Sequence, residues 1–136
     1  MALTMASLTP DHAAGFWPDF DWDNRLLWSL DLPSSSMEVD ELSWLLDLPV
    51  WSSRPPAPLF DLVPRTVIES PGVHVGHARR VLHADLSYPL LVHHHRGRWV
   101  VLDGLHRLAK LVCRGATLAT VCRVLPQHLA PAPAAR

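Results

Sequence analysis

The residues best suited to chemistry form one run, Asp103-Gly104-Leu105-His106-Arg107, with Lys110 one helical turn further on. The run comes after Arg98-Trp99-Val100-Val101-Leu102, whose β-branched and aromatic content suits a strand. It leads into a helix over 105–114, closed by Gly115 at the usual left-handed cap position. Gly104 permits a sharp turn and a close backbone approach between the two. The first N–H groups of such a helix have no intrahelical acceptor, and the helix dipole is positive at that end, so the turn suits a phosphate. His106 and Arg107 place side-chain donors there, and Arg107 can fork onto two phosphate oxygens. Lys110, at i+4 from His106 and i+3 from Arg107, adds a further positive charge. Asp103 has two readings: it caps the helix, or it holds Mg²⁺ between phosphates. The spacing alone equally allows a tight strand-to-helix turn with solvated His and Arg.

The elements that must position this run emerge from the apolar pattern. Tyr88–His93 suits a strand, Arg96-Gly97 a turn, and 98–102 the antiparallel partner. Thr117–Leu125 suits a last strand. Upstream, Leu59–Val63 suits a short strand stopped by Pro64, residues 65–70 a turn or short helix, and 73–83 a helix with Val75, Ala78 and Leu82 inward. Ser35-x-x-Glu38 has the form of a capping box. It opens a helix near 37–48 with Val39, Leu42, Leu45 and Leu46 on one face and Pro49 at its end. Pro55, Pro56 and Pro58 make a stiff connector. These elements divide the chain into an acidic Trp-rich arm over 1–58, an α+β domain over 59–125 and a Pro/Ala tail over 126–136.

Charge divides the same way. Residues 1–68 carry ten acids and three arginines, whereas 69–136 carry three acids against eight arginines and Lys110. A basic half suits an anionic ligand, and an acidic half can pack on it or screen it. Acidic and aromatic residues alternate through Gly15–Asp23, a pattern that suits folding onto a partner or onto the chain's own domain; the second is favoured, because large aromatics left in water make a sticky patch. Trp44 and Trp51 suit anchoring this arm, and Trp99 suits packing in the sheet. No apolar run is long enough to span a membrane, and the N-terminus lacks the form of a signal peptide, so a cytoplasmic protein is expected.

Asp-Gly-x-His-Arg-Leu-Ala at 103–109, with Ala84-Asp85-Leu86-Ser87-Tyr88-Pro89-Leu90 before the hairpin, resembles the ParB/sulfiredoxin superfamily and its small ParB-like nuclease domains. Val63-Pro64, Ile68-Glu69 and His77-Ala78-Arg79-Arg80-Val81 fit the front end of that pattern, and the resemblance spans about 59–125. It implies an α+β fold with a small mixed sheet and packed helices, here preceded by an N-terminal helical arm. It also implies nucleotide phosphates bound at Asp103, Gly104, Leu105, His106, Arg107 and Lys110. The motif is most similar to that of nucleotide-dependent free-serine kinases, which implies Mg²⁺ with ATP, ADP or CTP and a small-molecule acceptor. On that likeness Glu69 is the general base, with His77 as second choice and His106 among the catalytic groups. Leu105 stands where sulfiredoxins carry their cysteine, which argues against thiol chemistry. Only eleven residues come after Leu125, so the helix-turn-helix of chromosome-partition proteins, and with it sequence-specific DNA binding, is not expected. A nuclease would need clustered carboxylates that the sequence lacks. A non-catalytic interaction module on the same fold is the alternative, and a homodimer is open under either.

The remaining candidates carry less. His93 and His95 share one face of a strand, but no carboxylate or cysteine sits at a telling spacing, so they suit the polar end of a hairpin. His74 and His77 share a helix face that the resemblance puts beside the cleft, and one of Arg79 and Arg80 would reach a ligand. Cys113 and Cys122 lie among apolar residues and suit small buried hydrophobes.

Overall fold

The computed structural model describes residues 24–57 and 59–129. Over these residues the chain is α+β, with a four-stranded mixed sheet and five helices. The helices are α1 (Asn24–Trp28), α2 (Pro64–Glu69), α3 (Val75–Leu82), α4 (Leu105–Cys113) and α5 (Pro126–Leu129); the strands are β1 (Ser34–Glu38), β2 (Leu90–His95), β3 (Arg98–Asp103) and β4 (Leu118–Arg123). The sheet order is β1-β4-β2-β3. β1 runs antiparallel to β4, β4 parallel to β2, and β2 antiparallel to β3.

The hairpin between β2 and β3 turns on Arg96 and Gly97, with φ of 51° and 80°. Two successive positive φ values match the twist of the strands they join. β2 lies inside the sheet, and Leu90, Leu91, Val92 and His93 are all buried, as a strand covered on both faces requires. The pairing shifts between Leu91 and Val92: Val92 faces Val101 and Leu91 faces Asp103, which leaves Leu102 as an extra residue on β3. Such a bulge bends the strand and re-aims the chain beyond it. Asp103 and the start of α4 lie immediately beyond this one.

α4 ends as its sequence suggests. Gly115 has φ of 69°, its N–H bonds Val112 O, and the N–H of Ala116 bonds Leu111 O. This pair of bonds satisfies carbonyls that the helix leaves open, and glycine carries the left-handed residue without strain. α2, α3 and two 3₁₀ turns (Val39–Glu41 and Ser43–Asp47) pack against α4. On the side of the sheet under α1, Leu27, Leu91 and Cys122 line one cavity.

The helix expected over 37–48 is not formed. Ser34–Glu38 is instead a strand on β4, buried only at Met37, and Val39 donates to Thr117 O at 2.9 Å. The two 3₁₀ turns come next. The apolar stripe is nonetheless the right one: Leu42, Leu45 and Leu46 are fully buried and Val39 nearly so. Val39, Leu42 and Leu45 are three apart, which puts them on one side of a 3₁₀ turn as well as of an α-helix. Each fully buried leucine stabilises the fold by about 1.5–3 kcal/mol. The sheet therefore draws its edge strand from Ser34–Glu38, within the segment expected to be an arm.

Other expectations also shift. Leu59–Val63 forms no strand, only a bridge between Leu62 and Trp51. The buried residues of α3 are His77 and Val81, and Ala78 packs partly buried against the core as expected, while Val75 and Leu82 are exposed. Cys122 is buried but Cys113 is exposed. His93 is buried, with Nδ1–H donating to Val124 O at 2.7 Å, so it holds strand ends together. Trp44 does tie distant segments, donating to Trp99 O at 3.1 Å. The docking expected of Gly15–Asp23 lies outside the described residues, as does most of the tail. No described helix is long and apolar enough to cross a membrane.

Candidate functional site

Gly104 fixes the geometry of the turn after the bulge. It is the N-cap of α4, with φ of 114° and ψ of 22°. A Cβ built there would stand 2.6 Å from Leu90 Cδ2, so the backbone passes the core at a distance only glycine allows. The first helical bond runs from Leu108 N–H to Gly104 O, which leaves the N–H groups of Leu105, His106 and Arg107 without intrahelical acceptors. No side chain caps the helix.

Asp103 does not cap it either. Its Oδ2 accepts from Trp28 Nε1–H at 2.8 Å and from Arg107 Nη2–H at 3.0 Å, and Asn24 Nδ2 lies 3.5 Å from Oδ1. Arg107 also donates through Nη1–H to Pro89 O at 2.6 Å. The ion pair is largely shielded, each side chain being 19% exposed. Arg107 is thus a pre-set guanidinium beside the helix start rather than a loose one. These contacts bear on Mg²⁺. Both carboxylate oxygens already face donors, one of them a cation, and no cluster of three ligating side chains exists among the described residues. Asp103 offers one carboxylate, so a Mg²⁺ ion there would have to draw its other ligands from phosphates and water.

The second part of the site is a stack that the sequence did not disclose. His77 on α3 and His106 on α4 meet edge to edge, Nδ1 to Nε2 at 3.0 Å, with their rings within 11° of one plane. Both lie on the Trp51 indole face, with centroids 4.7 Å and 4.2 Å away. Trp51 is held by backbone bonds in both directions to Leu62, and the loop between them is tied by Ser53 donating to Asp61.

The protons in this stack can be placed. His77 Nε2 is 2.6 Å from Ser52 O, and a carbonyl only accepts, so that nitrogen carries hydrogen. With His77 neutral, its Nδ1 is an acceptor, so His106 Nε2–H donates to it. Neutral His106 then keeps Nδ1 as its own acceptor. Both rings are held neutral. Burial pushes the His106 pKa down to about 3, aided by the charge of Arg80 and by His77. Burial also lowers that of His77, against the pull of the Ser52 carbonyl and with the Arg80 and His74 charges. His106 is therefore a hydrogen-bonding ring, not a cation, near neutral pH.

The stack and the helix start share one cleft of about 700 Å³. Its walls include Trp51, His77, Arg80, Tyr88, Gly104 and Arg107. Asp85 also lines it; its carboxyl is held below the usual range by hydrogen bonds from Ser87. No family model, curated protein or solved structure matches this chain.

Of the residues singled out from sequence, the cleft gathers Asp103, Gly104, Leu105, His106, Arg107 and His77. Of the two arginines on α3, Arg80 lines it and Arg79 does not. Lys110 points elsewhere, donating to Leu82 O and Ala84 O, both at 2.8 Å, at the end of α3. Glu69 is exposed at the end of α2 and is not in the cleft lining. Trp51, expected as an anchor for the arm, is the floor under two histidines. No local spacing signals that role, because it joins three segments far apart in sequence.

Proposed function

We propose that this protein is a nucleotide-binding domain of the ParB/sulfiredoxin type, which takes the phosphates of ATP, ADP or CTP over the start of α4. The carrying observation is the opening at Gly104. Three backbone N–H groups at the positive end of a nine-residue helix border a cleft that also holds Arg80 and Arg107. The cleft volume is in the range of small-molecule and cofactor sites.

Two observations favour binding without turnover over phosphoryl transfer to a small acceptor. A base works best with a pKa near the working pH, and His106 sits near 3. Glu69, the base implied by resemblance, is outside the cleft lining. The protein then acts as a nucleotide-responsive module rather than as a kinase.

The test is a thermal-shift series with ATP, ADP, CTP, GTP and pyrophosphate, then a phosphate-release assay. A ligand at a hundredfold excess over its Kd adds roughly 2.7 kcal/mol of stability, which raises Tm by several degrees in a domain of this size. The expected result is a shift with a nucleotide that is lost in Arg80→Ala and kept in Arg79→Ala, without phosphate release. No shift with any of the five overturns the proposal, and sustained release of phosphate overturns its non-catalytic part.

A further inference from the structure

The face of α3 turned away from the cleft is apolar and open. Ile68 on α2, Val75, Ala78 and Leu82 on α3, and Cys113 on α4 line a groove of about 450 Å³. Val75 is 49% exposed and Leu82 is 67% exposed. Ala78 stands between them on one stripe of the helix, and its short side chain leaves a hollow between the two larger ones. His77 and Arg80 of the same helix line the cleft instead, so the groove is a separate surface and does not rest on the nucleotide reading.

The charge around this hollow has one sign. Arg79 and Arg114 line it, as does Lys110, which keeps its charge while bonding Leu82 O and Ala84 O. No aspartate or glutamate lines it among the described residues, and Glu69, next in sequence to Ile68, is outside the lining. The groove therefore suits an occupant with apolar side chains and negative charge.

Spacing narrows the occupant further. Val75 and Leu82 are seven positions apart on α3, about 10.5 Å along its axis. A second helix laid along the groove matches that span with apolar side chains at i, i+3 or i+4, and i+7, the middle one over Ala78. Arg79 is on α3 and Arg114 ends α4, so the cations come from two different elements bordering the groove. We propose that this groove binds an amphipathic helix of a protein partner, whose apolar stripe, about two turns long, is flanked by aspartate or glutamate.

Other occupants fit less well. Two copies meeting groove to groove would set Arg79 and Arg114 against their own counterparts, which like-charge repulsion opposes. A membrane surface takes side chains that protrude from an amphipathic face, whereas the stripe here lies in a hollow that a ridge of side chains fills.

Cys113 supplies the probe, since it is exposed and lines the groove, while buried Cys122 is an internal reference for an intact fold. Alkylation of each thiol by iodoacetamide is tracked by peptide mass in the full chain. The ligand used is a peptide of about 14 residues, stapled as a helix, with leucines at i, i+3 and i+7 and glutamates beside them. The expected result is Cys113 labelling at least tenfold slower at saturating peptide, with Cys122 slow throughout. A version with lysine in place of glutamate, and one of scrambled order, should leave the Cys113 rate within twofold. Protection should also be lost in Leu82→Glu and in Arg79→Glu with Arg114→Glu, substitutions at the groove lining that leave Cys122 slow. An unchanged Cys113 rate with the acidic peptide overturns the proposal, as does equal protection by the scrambled one. Protection by phosphatidylglycerol vesicles but not by the peptide overturns it in favour of a membrane surface. Protection that grows with protein concentration alone, with a dimer mass, overturns it in favour of a second copy.

Discussion

Trp28 and Asp103 are 75 positions apart and are joined by a 2.8 Å hydrogen bond from the indole N–H to Oδ2, the oxygen that also accepts from Arg107. The arm before β1 is thereby fastened to the turn at the start of α4. Removing the shared carboxylate leaves the largely shielded Arg107 guanidinium with Pro89 O as its remaining named partner. Asp103→Ala is therefore expected to destabilise the fold by about 1–3 kcal/mol. Trp28→Phe should cost less, about 1 kcal/mol, because that indole is 60% exposed. Urea denaturation of both variants checks the order, and an equal or reversed order would show that the indole, not the ion pair, holds the turn.

Gly104→Ala should be among the more damaging single substitutions. The added methyl meets Leu90 Cδ2 at 2.6 Å, and the backbone keeps a φ of 114° that alanine rarely adopts. Strain of this kind costs on the order of 1–3 kcal/mol per residue. Shortening Leu90 removes the clash but not the φ penalty. The double variant Gly104→Ala, Leu90→Ala should thus lose less than the sum of the two single losses. Denaturation midpoints across this cycle are the measurement, and strict additivity would mean that the contact with Leu90 is not felt.

The hairpin, α4 and β4 were legible in the sequence because each signal there is local. Arg96-Gly97 marks the turn, Gly115 the helix end, and β-branched residues the strands. The segment 34–47 was not legible, because Val39, Leu42 and Leu45 fit two helical periods and Ser35-x-x-Glu38 looks like a cap. Strand β1 forms there because the free edge of β4 takes it up, a long-range gain invisible in a local window. Asp103–Arg107 could be found from one turn of chain, and His77 and Arg80 were candidates. Trp51 as the surface joining His77 to His106 depends on three distant segments meeting. Asp103 looks like a cap until Trp28 and Arg107 are seen to engage its carboxylate.

Lys110 offers a sharp separation of structural from binding roles. Its ammonium bonds Leu82 O and Ala84 O, where carbonyls at the end of α3 have no helical donor. Lys110→Met keeps the aliphatic stem and removes both charged bonds. Stability should fall by about 1–2 kcal/mol, with faster amide exchange at the end of α3. Nucleotide affinity should be unchanged within twofold, because the ammonium is engaged away from the cleft. A large loss of affinity with little loss of stability would return Lys110 to the binding site.

The His77–His106 pair should make the fold acid-sensitive. Folded His106 has a pKa near 3, against an ordinary value of 6.5. The unfolded chain therefore binds one proton more between those values, and stability rises with pH across that window. The penalty is absent above about pH 6.5, grows as pH falls, and is complete near pH 3, where it reaches on the order of 4 kcal/mol. His77, also depressed, adds to it in the same direction. Arg80 sets part of this, since its charge lowers both histidines, so Arg80→Met should soften the acid loss. Chemical denaturation at half-unit steps from pH 4 to 7 should give a slope approaching 1.4 kcal/mol per pH unit for one proton. That slope should be shallower in His106→Gln, which cannot titrate. An identical slope in the two proteins would place the acid sensitivity elsewhere and remove the neutral histidine pair from the account of this site.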